Sequence, residues 1–102
     1  TSRVACAPTK GRMMLVALIA KDKPDQLETR KANREDHLAY MKETGLARHA
    51  GPLLDSDGNM CGSLVVLEVD TMAQAEDWAK NDPYNLAGLF QSAELIQWNK
   101  VI

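Results

Sequence analysis

An α+β fold with the split ferredoxin-like order βαββαβ, built on a four-stranded antiparallel sheet, is predicted by three observations on the sequence. Met13–Ala20 is a continuous apolar run of strand length, and Leu46–Leu53, Gly62–Val69 and Gln91–Trp98 read as three further strands. Two intervening segments carry their apolar residues at helical spacing, and the cluster Asp55-Ser56-Asp57-Gly58-Asn59 stands where a hairpin would turn. The chain has 102 residues, 45% hydrophobic and 25% charged, enough for one domain with a modest core.

Residues Thr1 to Arg12 mix Ser, Pro, Gly and basic side chains without periodicity. They lack the apolar centre of a secretory signal and read as a disordered or added leader before a domain spanning 13–102. Strand one, Met13–Ala20, is expected to stop at Lys21-Asp22-Lys23-Pro24, a charged turn with proline. Asp25 to Lys31 reads as a turn. From Asn33 to Thr44 the period becomes helical, with Arg34, His37, Leu38 and Met41 on one face, Asn33 as cap and Gly45 as terminator. Strand two, the hairpin and strand three follow. Thr71 with Gln74 has capping-box spacing, and Met72, Ala75, Trp78 and Ala79 form the apolar stripe of a second helix. Asp82-Pro83 interrupts that helix, because Pro83 lacks an amide donor and restricts the residue before it. A short turn over Pro83–Ala87 then leads into the last strand.

The pattern predicts an assembly. Strand one alternates Met13, Leu15, Ala17 and Ile19 with Met14, Val16, Leu18 and Ala20, and strand three alternates Ser63, Val65 and Leu67 with Leu64 and Val66. Both sheet faces are therefore apolar at the centre, and two helices cover one of them. A homodimer packed through the sheet faces is expected, since soluble monomers rarely expose such a patch. With 12 Lys+Arg against 14 Asp+Glu, the chain lacks the positive field of a nucleic-acid binder. No apolar run reaches the roughly twenty residues of a membrane helix, and the expected compartment is the cytoplasm. Cys6 and Cys61 are read as free thiols.

Few residues are placed to do chemistry. His37 shares its helix face with Leu38 and Met41, one turn from Arg34, with Arg30 just upstream. Histidine beside guanidinium groups suits a small anionic or oxygen-rich ligand. By spacing alone, the simpler reading is a histidine at the edge of the core, hydrogen-bonded to backbone. Asp82 stands where the stripe of the second helix would place an apolar residue. It can cap the turn that Pro83 begins, and it can orient His37; a carboxylate has two oxygens, so the roles are compatible. Tyr40, Tyr84 and Ser63 are candidates for lining a pocket. His49, beside Arg48, reads as a surface residue. Two separated histidines in no ligand spacing give no metal site, and the Asp55–Gly58 turn lacks the spacing of a calcium loop. No phosphate loop or nucleophile elbow is present in the sequence, and no cofactor is called for.

The phrases Leu27-Glu28-Thr29-Arg30, Arg34-Glu35-Asp36-His37-Leu38-Ala39-Tyr40, Ala50-Gly51-Pro52-Leu53, Gly62-Ser63 and Asn81-Asp82-Pro83-Tyr84-Asn85-Leu86-Ala87-Gly88-Leu89 together resemble the YciI-like (YCII-related) family, over about Met13 to Lys100. The resemblance implies a ferredoxin-like subunit of a dimeric α+β barrel whose pocket centres on a histidine and an aspartate. By motif these are His37 and Asp82, and Arg30, Arg34, Gly51, Pro52 and Ser63 match positions typical of that family. It turns the reading of His37 toward a functional one. One family member is a dehydrochlorinase of chlorinated hydroxyhydroquinone breakdown, which removes hydrogen chloride from a small phenolic ring. The leader departs from relatives that begin at the first strand.

The resulting expectation is a small-molecule enzyme that eliminates from, or isomerises, a small oxygenated ring compound. His37 and Asp82 would be catalytic, with Arg30, Arg34, Ser63 and Tyr84 binding an anionic or phenolic substrate. The alternative is a non-catalytic accessory module that binds such a ligand without converting it. On the enzyme reading, His37→Ala is expected to abolish turnover at little cost in stability.

Overall fold

The computed structural model describes residues 14–102; the leader, Cys6 and Met13 lie outside the described residues. Strand β1 (Met14–Asp22) is central and pairs antiparallel with β3 (Met60–Val69) on one side and β4 (Phe90–Trp98) on the other. Strand β2 (Ala47–Leu54) closes the far edge against β3, giving the order β2-β3-β1-β4. Helices α1 (Leu27–Ala32) and α2 (Arg34–Thr44) connect β1 to β2. Helices α3 (Met72–Lys80) and α4 (Pro83–Leu86) connect β3 to β4. This is the predicted α+β, ferredoxin-like arrangement.

The differences from expectation lie beside the site. Strand β1 does not stop at Ala20, because its neighbours keep pairing: Lys21 lies opposite Gly62 and Ser92, and Asp22 opposite Phe90. Side chains alternate along a strand, so Asp22 emerges on the face of Val16, Leu18 and Ala20, toward the helices. The expected turn over Asp25–Lys31 is largely the six-residue helix α1. Its only large apolar residue is Leu27, and six residues are too few to show a period. Asn33 takes the N-cap position of α2, but its side chain makes no capping hydrogen bond there. Its side-chain amide donates to the Thr29 carbonyl (2.9 Å), closing α1 instead.

The remaining local signals act as their chemistry suggests. Gly45 ends α2 in the left-handed conformation at φ 66°. Asp55 Oδ1 accepts from the amides of Asp57 and Asn59, shaping the hairpin. Thr71 Oγ1 accepts from the Gln74 amide at 3.2 Å, while Gln74 Oε1 reaches back to the Asp70 amide at 2.8 Å. Gly62 is required by contact: a Cβ there would overlap the Ala20 carbonyl oxygen and press on Leu53.

The core lies between sheet and helices, where Val16, Leu18, Val65, Leu67 and Val69 meet Leu46, Ala75 and Trp78. By register, the opposite sheet face carries Leu15, Ala17 and Ile19 beside Leu64, Val66, Ile96 and Trp98. Leu64, Ile96 and Trp98 remain 39–48% exposed there. No helix among the described residues is long and apolar enough to cross a membrane.

Candidate active site

His37 is the one buried residue of α2, although the helix also carries Leu38, Tyr40 and Met41. Its Nδ1 lies 2.8 Å from Asp82 Oδ1, and both side chains are buried. Because a carboxylate accepts, the Nδ1–H donates, leaving Nε2 as the ring nitrogen open to an outside partner. Asp82 reaches this position as the N-cap of α4, accepting the Tyr84 amide at 3.0 Å. Cap and histidine contact fall on the same oxygen, Oδ1, rather than one on each. Oδ2 is buried with no hydrogen-bond partner.

Tyr84, in the first turn of α4, stacks on His37 with ring centroids 4.0 Å apart and planes 15° from parallel. The Arg30 guanidinium carbon lies 4.7 Å from the Tyr84 centroid, and Phe90 meets the ring edge-on. Burial holds the Tyr84 hydroxyl above its ordinary pKa, while the charges of Arg30 and Arg34 pull it down. Tyr84 thus packs against both His37 and Arg30, tying the three side chains into one cluster at the buried side of the site.

Arg30 is held by Asp22 and Ser63. Its Nε and Nη2 donate to the two oxygens of Asp22 at 2.7 and 2.9 Å, and Nη2 also donates to Ser63 Oγ at 2.8 Å. Burial works against the Arg30 charge, but Asp22 outweighs it and the guanidinium is held above its ordinary pKa. Because Ser63 Oγ accepts from Arg30, its own hydroxyl hydrogen is free to donate elsewhere.

These groups surround a cavity of about 470 Å³ between α1–α2 and the β2–β3 edge, a size typical of small-molecule sites. His37, Ser63, Tyr84 and Arg30 line it from the buried side, and Arg34 and Lys31 line it from exposed positions. Leu38, Met41, Pro52 and Met60 supply the apolar wall. The helix face of Arg34, His37, Leu38 and Met41 therefore looks into the cavity; Leu38 is 45% exposed rather than packed in the core.

The structure brings Arg30, Arg34, His37, Ser63 and Tyr84 together around this space, with Asp82 behind His37. Gly51 and Pro52 line it as well. Tyr40 does not. Its hydroxyl donates to the Trp78 carbonyl at 2.8 Å, and its pKa is raised by burial and by Asp82. His49 is exposed, and Cys61 is a free, partly buried thiol. Sequence reasoning missed Asp22, whose signal was its helix-facing parity with Val16, Leu18 and Ala20, and Lys31, hidden in the supposed turn. Among the described residues no three His, Cys, Asp or Glu side chains gather as a metal site.

Comparison with known proteins places these features in a family. The sequence model of the YCII-related domain matches residues 14–99. Protein YciI of Escherichia coli O6:H1 is 34% identical over 97 residues, covering 86% of this chain and 99% of the relative. An uncharacterized protein of Haemophilus influenzae is 33% identical over the same length. Among solved structures, the 5-chloro-2-hydroxyhydroquinone dehydrochlorinase of Burkholderia phenoliruptrix AC1100, in complex with 2,5-dihydroxybenzoquinone, is 30% identical with a TM-score of 0.79. That match covers 86% of this chain and 96% of the dehydrochlorinase. An antibiotic biosynthesis monooxygenase shares the fold at 10% identity, with a TM-score of 0.57.

Proposed function

The chain belongs to the YCII-related family, and from that premise we propose that it is a small-molecule enzyme of the lyase or isomerase kind, acting by proton transfer on a small oxygenated ring compound. The observation that carries this reading is the buried His37–Asp82 contact of 2.8 Å beside a ligand-sized cavity. The similarity to a dehydrochlorinase supports it.

His37 Nε2 takes a proton from the bound ring compound. In an elimination, the electron pair left behind forms a double bond and expels the leaving group as its anion, so a chlorinated substrate loses hydrogen chloride. In an isomerisation, the same proton returns to another atom of the conjugated system. Asp82 fixes the Nδ1–H tautomer and stabilises the imidazolium formed on proton uptake. Ser63, its hydrogen directed away from Arg30, and Tyr84 donate to the ring oxygen on which charge develops. Arg30 is a positioning residue here: Asp22 balances its charge, and it orients Ser63. A positioned acid-base group of this kind contributes about a hundred- to ten-thousand-fold in rate.

The test is chloride release from 5-chloro-2-hydroxyhydroquinone by the protein and by His37→Gln. Release by the native chain, lost at least a hundredfold in the variant, supports the mechanism. Equal release by both refutes it. Binding of the compound without release favours the accessory-module reading.

The same reading includes a homodimer closed through the apolar sheet face, supported by the exposure of Leu64, Ile96 and Trp98. It also locates the protein in the cytoplasm, where Cys61 stays a thiol. A monomer mass by light scattering at micromolar concentration would refute the dimer.

A further inference from the structure

Three cationic residues, Arg30, Lys31 and Arg34, line the cavity within five positions of sequence, yet they are not equivalent. Arg30 is 3% exposed and pairs with both oxygens of Asp22. Lys31 and Arg34 are exposed, and among the described residues neither forms an ion pair, although Glu28, Glu35 and Asp36 are close in sequence. Among the described residues no carboxylate lines the cavity. Arg34 also opens α2, where a cation meets the positive end of the helix dipole. Local helix energetics therefore do not explain it.

We propose that the compound bound here carries, besides the ring oxygen met by Ser63 and Tyr84, a carboxylate seated between Lys31 and Arg34. This deepens the enzymatic reading and rests on it for the placement of the ring. The cavity lining supplies chemistry for both parts: the His37, Ser63 and Tyr84 side chains on the buried side, an apolar side of Met41, Pro52 and Met60, and two cations without an ion-pair partner among the described residues at the solvent side. Arg34 and Tyr84 line the same cavity, so the two parts of the site adjoin. A neutral phenol would leave both cations without a partner. A ring acid would place its planar carboxylate against the flat guanidinium of Arg34 and the ammonium of Lys31.

The experiment is a binding titration of the full chain by NMR or calorimetry, at pH 7 and low salt. The probes are 2,5-dihydroxybenzoate, its neutral methyl ester and inorganic phosphate. The acid is expected to bind at least tenfold more tightly than either the ester or phosphate. In Lys31→Met/Arg34→Met, whose sites are exposed, the preference for acid over ester should fall below twofold. In His37→Gln it should persist. An ester or phosphate that binds the native chain as well as the acid would overturn the proposal. So would a double variant that keeps the preference, or a native chain that binds neither acid nor ester at millimolar concentration. Binding is read without turnover, so failure of the catalytic reading, seen as no chloride release, is distinguishable from failure of this one.

Discussion

Replacing Asp82 by Ala and by Ser separates the two tasks that its Oδ1 performs. That oxygen accepts the Tyr84 amide at 3.0 Å, capping α4, and the His37 ring at 2.8 Å. Loss of an N-cap costs about 1 kcal/mol, within a range of about 0.5 to 2. Loss of a buried hydrogen bond involving a charged group costs about 1.5 to 3 kcal/mol. Removing Oδ2, which is buried without a partner, returns part of this. Asp82→Ala should therefore destabilise by about 1 to 4 kcal/mol, out of a total of roughly 5 to 15 for a domain. Ser can cap α4 but is too short to reach His37, so Asp82→Ser should recover about 1 kcal/mol over Ala and remain below the native chain. Urea unfolding followed by the fluorescence of Trp78 at pH 7 measures both differences, because Trp78 lies in the core. Ser equal to Ala would refute the capping argument. Ser equal to the native chain would refute the contribution of the His37 contact to the fold.

Gly62→Ala should cost about 1 to 3 kcal/mol in the same assay, because the added methyl meets the Ala20 backbone rather than a flexible side chain; an unchanged midpoint would show that the strands spread freely. His37→Ala should cost about 3 kcal/mol or more, contrary to the sequence expectation, since it empties a buried position stacked on Tyr84 and strands the Asp82 carboxylate; a loss under about 0.5 kcal/mol would contradict that packing. Stability should also fall as pH rises above the ordinary tyrosine range. Burial, the leading cause for both, holds Tyr40 and Tyr84 above their unfolded pKa of 10.0. The unfolded chain therefore releases these protons first, and their contribution, complete below that value, is lost between it and the raised folded values. Unfolding at pH 9 and pH 11 should show a smaller drop in Tyr40→Phe and Tyr84→Phe; parallel drops in all three proteins would refute the assignment.

Much of the fold was legible because its signals are local. Gly45, the Thr71–Gln74 spacing and the Asp55–Asn59 turn each act within a few residues of themselves, and alternation set which faces of β1 and β3 are buried. Asp82 was legible for a related reason: Asp-Pro is a cap signature, and an acidic residue in an apolar stripe needs a partner. What stayed hidden depends on distant partners. Helix α1 exists without a readable period because Arg30 anchors it to Asp22 and Ser63, and the extension of β1 that supplies Asp22 is driven by β3 and β4. The sharing of one Asp82 oxygen was likewise invisible, because residue types give the number of acceptors and not their aim.

The same distinction explains how α2 serves the cavity. It buries only His37, so apolar burial alone does not dock it. Tyr40 and Met41 pack against the core, and hydrogen bonds add to this: His37 to Asp82 near the helix start, Tyr40 to the Trp78 carbonyl at its middle, and Trp78 to Thr44 Oγ1 at its end, each 2.8 Å. All three reach α3 or the cap of α4. A helix fastened in this way can leave Arg34 and Leu38 facing the cavity without losing its place. The His37–Asp82 contact is then both the reactive pair of the proposed mechanism and one of the fasteners of the helix that carries it. On that mechanism proton transfer and the holding of the helix depend on the same two side chains, so variants at either position should lose stability and activity together, while exposed Lys31 and Arg34 can be replaced without loosening the helix.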